Sequence, residues 1–316
     1  MISVGVIGLG AMGSAVAERY LACGGSVTVW NRSPGPTLPL RALGARIAGS
    51  LVELAGAADL ILTLLPTGDE VSDVLVGAGG VIAAAKLGSL IIDCSTIDPE
   101  VSRRVAAEAT VRNVRFADAG LGGLPADAKA GQLSVMYGTL TQDAGQVEAA
   151  LGPVAKQFAH CGGHGAGVTT KVISNLLSNA IHVANLEAIV LGERAGLDTA
   201  ILLKVLESTA ADNRQLRQRV PAELLERHHR PGFKIDLAYK DVGIGCGLAI
   251  KMGVPLTVLA SGVGLLAAAR TRGRGQLAVT ALLPTLRESV APPRDSSDRC
   301  PSRAAHSDTP PNSEGR

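Results

Sequence analysis

Apolar and polar positions in the first hundred residues fall into short blocks rather than one long period. Residues 4–7 (VGVI) form a β-rich run that stops at Gly8. A helical pattern follows the glycine turn to about residue 22, and a second β-rich run covers residues 27–30. The spacing predicts strand, glycine turn, helix, strand. Ser50-Leu51-Val52-Glu53 is a capping box that opens a short helix, serine and glutamate each satisfying a free amide of the first turn. Residues 59–65 and 89–94 are continuous apolar runs, the pattern of parallel strands covered on both faces. Asp98-Pro99-Glu100 opens a further helix, with proline where a missing N–H costs nothing.

Beyond a glycine-rich segment from Gly162 to Gly167, read as a domain hinge, the period changes. Residues 168–195 hold no proline and a single glycine, Gly192. At helical spacing Lys171, Asn175, Ser178, His182 and Asn185 share one face of a mostly apolar helix. So narrow a stripe predicts a buried helix lining a polar cleft, with a solvent face or a helix–helix hydrogen-bond seam as the alternatives. The patterns together predict an α/β fold in which a long helix joins two domains. Residues 1–163 form a Rossmann-type, doubly wound parallel sheet, and residues 164–290 an all-α substrate and dimerisation domain. Residues 291–316 are rich in Pro, Ser, Arg and Asp and nearly free of large apolar side chains, so a disordered tail is expected there.

Composition narrows the function classes. The chain has 316 residues, 47% hydrophobic and 18% charged, enough for two packed domains. A formal net charge of +2 without a basic cluster excludes a nucleic-acid surface. No apolar run is long enough to span a membrane, and no signal peptide is expected at the N-terminus. Five scattered cysteines, an odd number, fit a reduced cytoplasmic protein.

The chemistry starts at the first turn. Gly8-Leu9-Gly10-Ala11-Met12-Gly13 follows a strand and opens a helix, the context that makes a glycine triplet a dinucleotide cradle. Free amides at the helix N-terminus then face the pyrophosphate. The end of the second strand carries Asn31-Arg32-Ser33 where an acid would hold the ribose hydroxyl of NAD. An arginine and a serine suit a 2′-phosphate, so NADP is expected, with NAD as the alternative. Leu65, Pro66, Thr67, Ser95 and Thr96 fall at strand carboxyl ends, where ligands of such sheets sit. Ser95 and Thr96 read as contacts to nicotinamide and substrate, or as a helix cap. Gly120, Gly122 and Gly123 read as a flexible turn whose amides form an anion nest for a carboxylate. Lys171 opens the polar stripe, and a partly buried lysine with a lowered pKa can exchange a proton. Lys240 and Asp241 are either a surface pair or cleft residues. His160, Cys161 and His164 lack a second ligand cluster, so no metal is expected.

These segments carry a resemblance. GLGAMG at 8–13, DCSTIDP at 93–99, DAGLGGLPADAKAGQL at 118–133, GAGVTTKVISN at 165–175 and FKIDLAYKD at 233–241 together resemble the β-hydroxyacid dehydrogenases. That family includes the 3-hydroxyisobutyrate dehydrogenases and tartronate semialdehyde reductases. The resemblance implies NAD(P)-dependent interconversion of a small 3-hydroxy acid and its semialdehyde, in a homodimer or homotetramer. It implies that Lys171 is the catalytic lysine and that Asn175 and the Gly123 backbone hold substrate. It further implies that Thr96 lies beside the nicotinamide and that Lys240 closes over the cofactor. The family pattern Pro-Val-Ser-Gly-Gly is replaced by Gly120-Leu121-Gly122-Gly123-Leu124, and one of two usual asparagines is Ser174. Both departures touch substrate binding and leave the reaction type intact. An imine reductase of the same fold and a catalytically lapsed NADP-binding protein are the rival readings.

Overall fold

The computed structural model describes residues 2–225 and 232–290; the tail expected over 291–316 lies outside the described residues. Alternation begins with β1 (Ser3–Ile7), α1 (Ala11–Ala22), β2 (Ser26–Trp30), α2 (Thr37–Ala42) and β3 (Arg46–Ile47). It continues through α3 (Leu51–Ala57), β4 (Leu60–Thr63), α4 (Gly68–Leu75), α5 (Val81–Ala84) and β5 (Leu90–Asp93). Then follow α6 (Pro99–Val111), β6 (Arg115–Gly122), α7 (Pro125–Ala130), β7 (Leu133–Gly138), α8 (Ala144–Leu151) and β8 (Ala155–Gly162). The strands form one sheet in the order β3-β2-β1-β4-β5-β6-β7-β8. β1 to β6 are parallel, the doubly wound arrangement, and β7 turns back antiparallel to β6.

Side chains alternate across this sheet with a period of two. Val4, Val6, Leu60, Leu62 and Ile92 enter the core on one face. Ile7, Ile61 and Ile91 enter the core on the other. Continuous apolar runs are therefore what a doubly covered sheet requires. Sequence reading placed a flexible turn over Gly120, Gly122 and Gly123. The structure instead carries β6 through to Gly122, paired with β7 in the register Gly120↔Met136 and Gly122↔Ser134. A glycine inside a strand marks close approach of another segment; at Gly120 that segment is the long helix, and at Gly122 it is β7.

The second half is α9 (Ala166–Arg194), α10 (Thr199–Glu207), α11 (Arg214–Gln218), α12 (Val220–Leu225), α13 (Ile235–Met252), α14 (Val263–Thr271) and α15 (Leu282–Ser289). Its core gathers Leu176, Leu186, Ile189, Val242, Leu266 and Leu282. Helix α9 belongs to both halves: Val168 and Val172 pack in the sheet core, whereas Leu176 and beyond pack in the helical one. With 29 residues it runs about 43 Å at the usual rise.

The segment before α9, read as a hinge, is tied down. Asp118 of β6 is buried and accepts hydrogen bonds from the Gly165 amide and, at 2.6 Å, from the Val168 amide. Its carboxylate thereby satisfies amides that the helix itself leaves unpaired. A Cβ on Gly167 would lie 2.6 Å from both the Asp118 carbonyl oxygen and the Tyr137 Cα, so glycine alone lets the helix sit on the strands. His164 Nε2 meets the Phe116 carbonyl and His160 Nε2 the Thr139 carbonyl, both at 3.1 Å.

A second buried carboxylate ties the strand ends. Asp93 Oδ1 accepts from the Thr63 hydroxyl at 2.7 Å and the Ser95 hydroxyl at 2.6 Å, and the Ser95 hydroxyl accepts from the Leu65 amide at 2.9 Å. Burial raises the Asp93 carboxyl to about 6, against the pull of the Ser95 and Thr63 hydrogen bonds. The folded state therefore keeps this proton to higher pH than the unfolded chain does. Its contribution to stability is fully present below about pH 4 and is lost as pH rises through about 6. Thermal unfolding of the wild type and Asp93→Asn, compared from pH 4 to 7, is expected to shift in favour of the variant by about 3 kcal/mol. A difference that stays constant over that range would show that Asp93 titrates as an ordinary carboxylate.

Candidate active site

At the end of β1 the chain turns through Gly8, whose φ of 88° is open to glycine, and enters α1. A Cβ on Gly13 would fall 1.9 Å from the Gly8 carbonyl oxygen, so the turn closes onto the helix only with glycine there. Gly10 caps α1 with no side-chain bond, and a Cβ added to it meets nothing within 4 Å. An uncapped helix N-terminus facing open space fits a pyrophosphate. The Leu9 amide donates to Asn31 Oδ1 at 2.9 Å, and Asn31 Nδ2 donates to the Ser33 carbonyl and hydroxyl oxygens at 2.9 and 3.0 Å. Asn31 thus braces the glycine turn against the turn that carries Arg32. The Arg32 side chain is 85% exposed and meets Glu70 Oε1 at 3.3 Å.

The segments after β4 and β5 meet the second domain. Lys240 Nζ of α13 donates to the Pro66 carbonyl at 3.0 Å and to the Thr96 carbonyl. Thr67, Thr96, Lys240 and Ile244 line a cavity of about 250 Å³ in this seam. Lys251, further along α13, adds ion pairs to Asp98 at 3.1 Å and Glu100 at 2.9 Å. Thr67 caps α4: its hydroxyl accepts from the Glu70 amide and donates to Glu70 Oε2, each at 3.2 Å. Ser95, read as a substrate contact, is buried, and its hydroxyl is committed to Asp93 and the Leu65 amide. It shapes the β4 and β5 ends from within.

Lys171 lies against β6. A Cβ on Gly120 would come within 2.4 Å of the Lys171 Cβ and 2.8 Å of its Cγ, so Gly120 is the space that the lysine stem fills. Burial pushes the Lys171 amine below the ordinary lysine range, while the Asp241 carboxylate opposes the shift. Asp241 is itself buried, which raises its carboxyl against the pull of Lys240 and Asn175. Its Oδ2 accepts from Asn175 Nδ2 at 2.7 Å, and its Oδ1 lies 3.1 Å from Lys240 Nζ outside hydrogen-bond alignment. One carboxylate therefore joins Asn175 and Lys240, and its charge opposes the downward shift of the Lys171 amine. Asp241 is the site residue that the sequence left open, its signal being an acid inside the apolar stretch after Lys240. Gly122 and Gly123 follow at the end of β6, Gly123 with φ of 135°.

The polar stripe of α9 divides. Lys171 sits on Gly120 of β6, and Asn175 bonds Asp241 of α13. Ser178 accepts a hydrogen bond from Gln215, and Asn185 exchanges two of 3.0 Å with Asn213, so both serve a helix–helix seam. His182 is wholly buried, and burial pushes its ring down to about 3. A stripe read from spacing alone cannot separate the two uses, because both bury polar groups on an apolar helix.

A family model for the NAD binding domain of 6-phosphogluconate dehydrogenase matches residues 3–163. A second, for the NAD-binding region of NADP-dependent 3-hydroxyisobutyrate dehydrogenase, matches residues 165–286. The chain is 32% identical to a 3-sulfolactaldehyde reductase of Escherichia coli, over 92% of this chain and 97% of that one. It is 31% identical to a 3-hydroxyisobutyrate dehydrogenase of Pseudomonas aeruginosa, over 82% of this chain and 90% of that one. The structure of a Mycobacterium tuberculosis 3-hydroxyisobutyrate dehydrogenase with L-serine superposes with a TM-score of 0.81 at 27% identity, covering 91% of this chain and 99% of that one. Family models spanning residues 3–286 but for one, and relatives more than 30% identical over most of both chains, place the chain in the β-hydroxyacid dehydrogenase family of NAD(P)-dependent oxidoreductases.

Proposed function

We propose that the protein interconverts a small 3-hydroxy acid, 3-hydroxyisobutyrate-like, and its semialdehyde, using NADP in preference to NAD, with Lys171 as the acid and base. The observation that carries this reading is a lysine seated on Gly120 with its amine desolvated and the Asp241 charge opposing that shift. Relatives named for a hydroxy acid in one case and an aldehyde in another support a reversible reaction of this kind.

A nicotinamide held at the strand ends by Leu65, Pro66, Thr67 and Thr96 would supply or accept the hydride. Lys171 moves the proton. In the reductive direction its ammonium gives a proton to the carbonyl oxygen; in the oxidative direction its neutral amine removes the proton from the alcohol. Desolvation brings the neutral form within reach, and Asp241 keeps the protonated form from being lost. Asn175, held by Asp241, and the backbone at Gly122 and Gly123 hold the substrate carboxylate. Ser95 acts through Asp93 and Leu65 rather than by touching substrate. Gly8 to Gly13 cradle the pyrophosphate, Asn31 fixes that cradle, and Arg32 with Ser33 receives the 2′-phosphate. Leu65, Pro66, Thr67 and Thr96 flank the nicotinamide side, which Lys240 closes.

In this reading residues 1–163 bind the cofactor and 164–290 complete the substrate site. Exposed Leu191, Leu197, Ile201 and Val205, each more than half uncovered, supply an apolar face for a homodimer or homotetramer. The described cysteines are unpaired, in keeping with the cytoplasm.

Lys171→Ala is expected to cut turnover of the best aldehyde acid roughly a hundredfold to ten-thousandfold, with cofactor affinity by fluorescence titration unchanged; near-normal turnover would refute the lysine's role. Oxidation rates should rise with pH through a pKa below the ordinary lysine range, and Asp241→Asn should move that limb to lower pH by removing the charge that holds the proton. A pH profile that ignores Asp241→Asn would detach this carboxylate from the lysine. Arg32→Ala should reduce the NADPH-over-NADH preference roughly tenfold, read as kcat/KM for each cofactor across glyoxylate, succinic semialdehyde and related acids. Reduction of a cyclic imine without turnover of any aldehyde acid would overturn the substrate class.

A further inference from the structure

Arg32 is not a free cation in this structure. It stands at the end of β2, 85% exposed, with its guanidinium 3.3 Å from Glu70 Oε1. The two partners differ in freedom. Glu70 is the third residue of α4, only 29% exposed, and both its amide and its Oε2 are held by the Thr67 hydroxyl. The helix N-terminus favours a carboxylate at that position as well. Glu70 is therefore a fixed anion and Arg32 a long, solvated arm that reaches to it.

We propose that Glu70 is a determinant of cofactor specificity, competing with the 2′-phosphate for the Arg32 guanidinium. The inference rests on the reading that Arg32 receives this phosphate. A 2′-phosphate arriving at Arg32 meets a guanidinium already paired. It shares that group with a second anion, or draws the arginine away from Glu70. Either way part of the gain is spent in repulsion or in a broken ion pair, and only a phosphorylated ribose bears that cost. The 2′-hydroxyl of NAD carries no charge and can donate to a carboxylate. Glu70 thus narrows the gap between the two cofactors from both sides, and the preference belongs to the Arg32–Glu70 pair rather than to Arg32 alone.

Glu70→Gln removes the charge and keeps a residue that serves a capping box equally well. Wild type, Glu70→Gln, Arg32→Ala and the double variant would be titrated with NADPH and NADH by fluorescence, and with 2′,5′-ADP and 5′-AMP by calorimetry, at fixed low salt. Glu70→Gln is expected to tighten NADPH and 2′,5′-ADP about fivefold, the worth of one exposed ion pair. NADH and 5′-AMP should hold steady or weaken. The gain should shrink in high salt and fall below about twofold in the Arg32→Ala background, the partner of the competition being gone. Asp69→Asn, one residue earlier in the same helix turn, removes an equal charge and should have less than half the effect.

If Arg32→Ala weakens NADPH while Glu70→Gln leaves it unchanged, the competition is refuted and the role of Arg32 stands. If Arg32→Ala leaves NADPH affinity unchanged, the role of Arg32 fails and the competition fails with it. Equal tightening of NADPH and NADH, or an Asp69→Asn effect as large as that of Glu70→Gln, would reduce the result to general charge and overturn the proposal.

Discussion

The seating of α9 on β6 and β7 is the constraint from which the rest follows. Asp118 anchors the helix start, Gly167 removes the side chain that would hold it away, and Gly120 receives the stem of Lys171. All three act within two turns of one helix. The lysine's height above the sheet, its desolvation and its distance from the strand ends are set together by this contact. Close-packed interiors resist a change of even one methylene, so the position of the amine is a packing result before it is a chemical one.

Charge in the cleft is arranged around one buried acid. Asp241 lies among Asn175, Lys171 and Lys240, which belong to both helices of the crossing. Burial disfavours ionisation of Lys171 and Asp241 alike, and each opposes that cost for the other. Lys240 adds a further cation, and like Lys251 it reaches across to the sheet domain. The charge beside Lys171 and the contact across the domain seam thus share a partner.

Local features were the legible ones. The glycine cradle, the serine cap at Ser50 and the doubly covered strands β4 and β5 depend on a few consecutive residues, and sequence spacing carries them. The lysine on α9 was legible for the same reason: one cation in a narrow polar stripe. What pattern could not supply was direction and long-range pairing. Ser95 turns its hydroxyl inward because Asp93 waits two residues before it on the strand. Asn175 and Asp241 meet across 66 residues. The stripe on α9 is one line in projection, yet Ser178 and Asn185 serve a helical seam while Lys171 sits on Gly120 and Asn175 bonds Asp241. The glycines of β6 read as a turn because looseness and close approach look alike in a sequence.

Lys240 grips the sheet domain through the carbonyl oxygens of Pro66 and Thr96, not through their side chains. Main-chain acceptors are the same whatever residue is placed there. The two loops can therefore drift in sequence, adapting to new substrates, without loosening the clasp, so long as their backbone path is kept. At Pro66 and Thr96, evolutionary freedom on one side of the seam is secured by the Lys240 amine on the other.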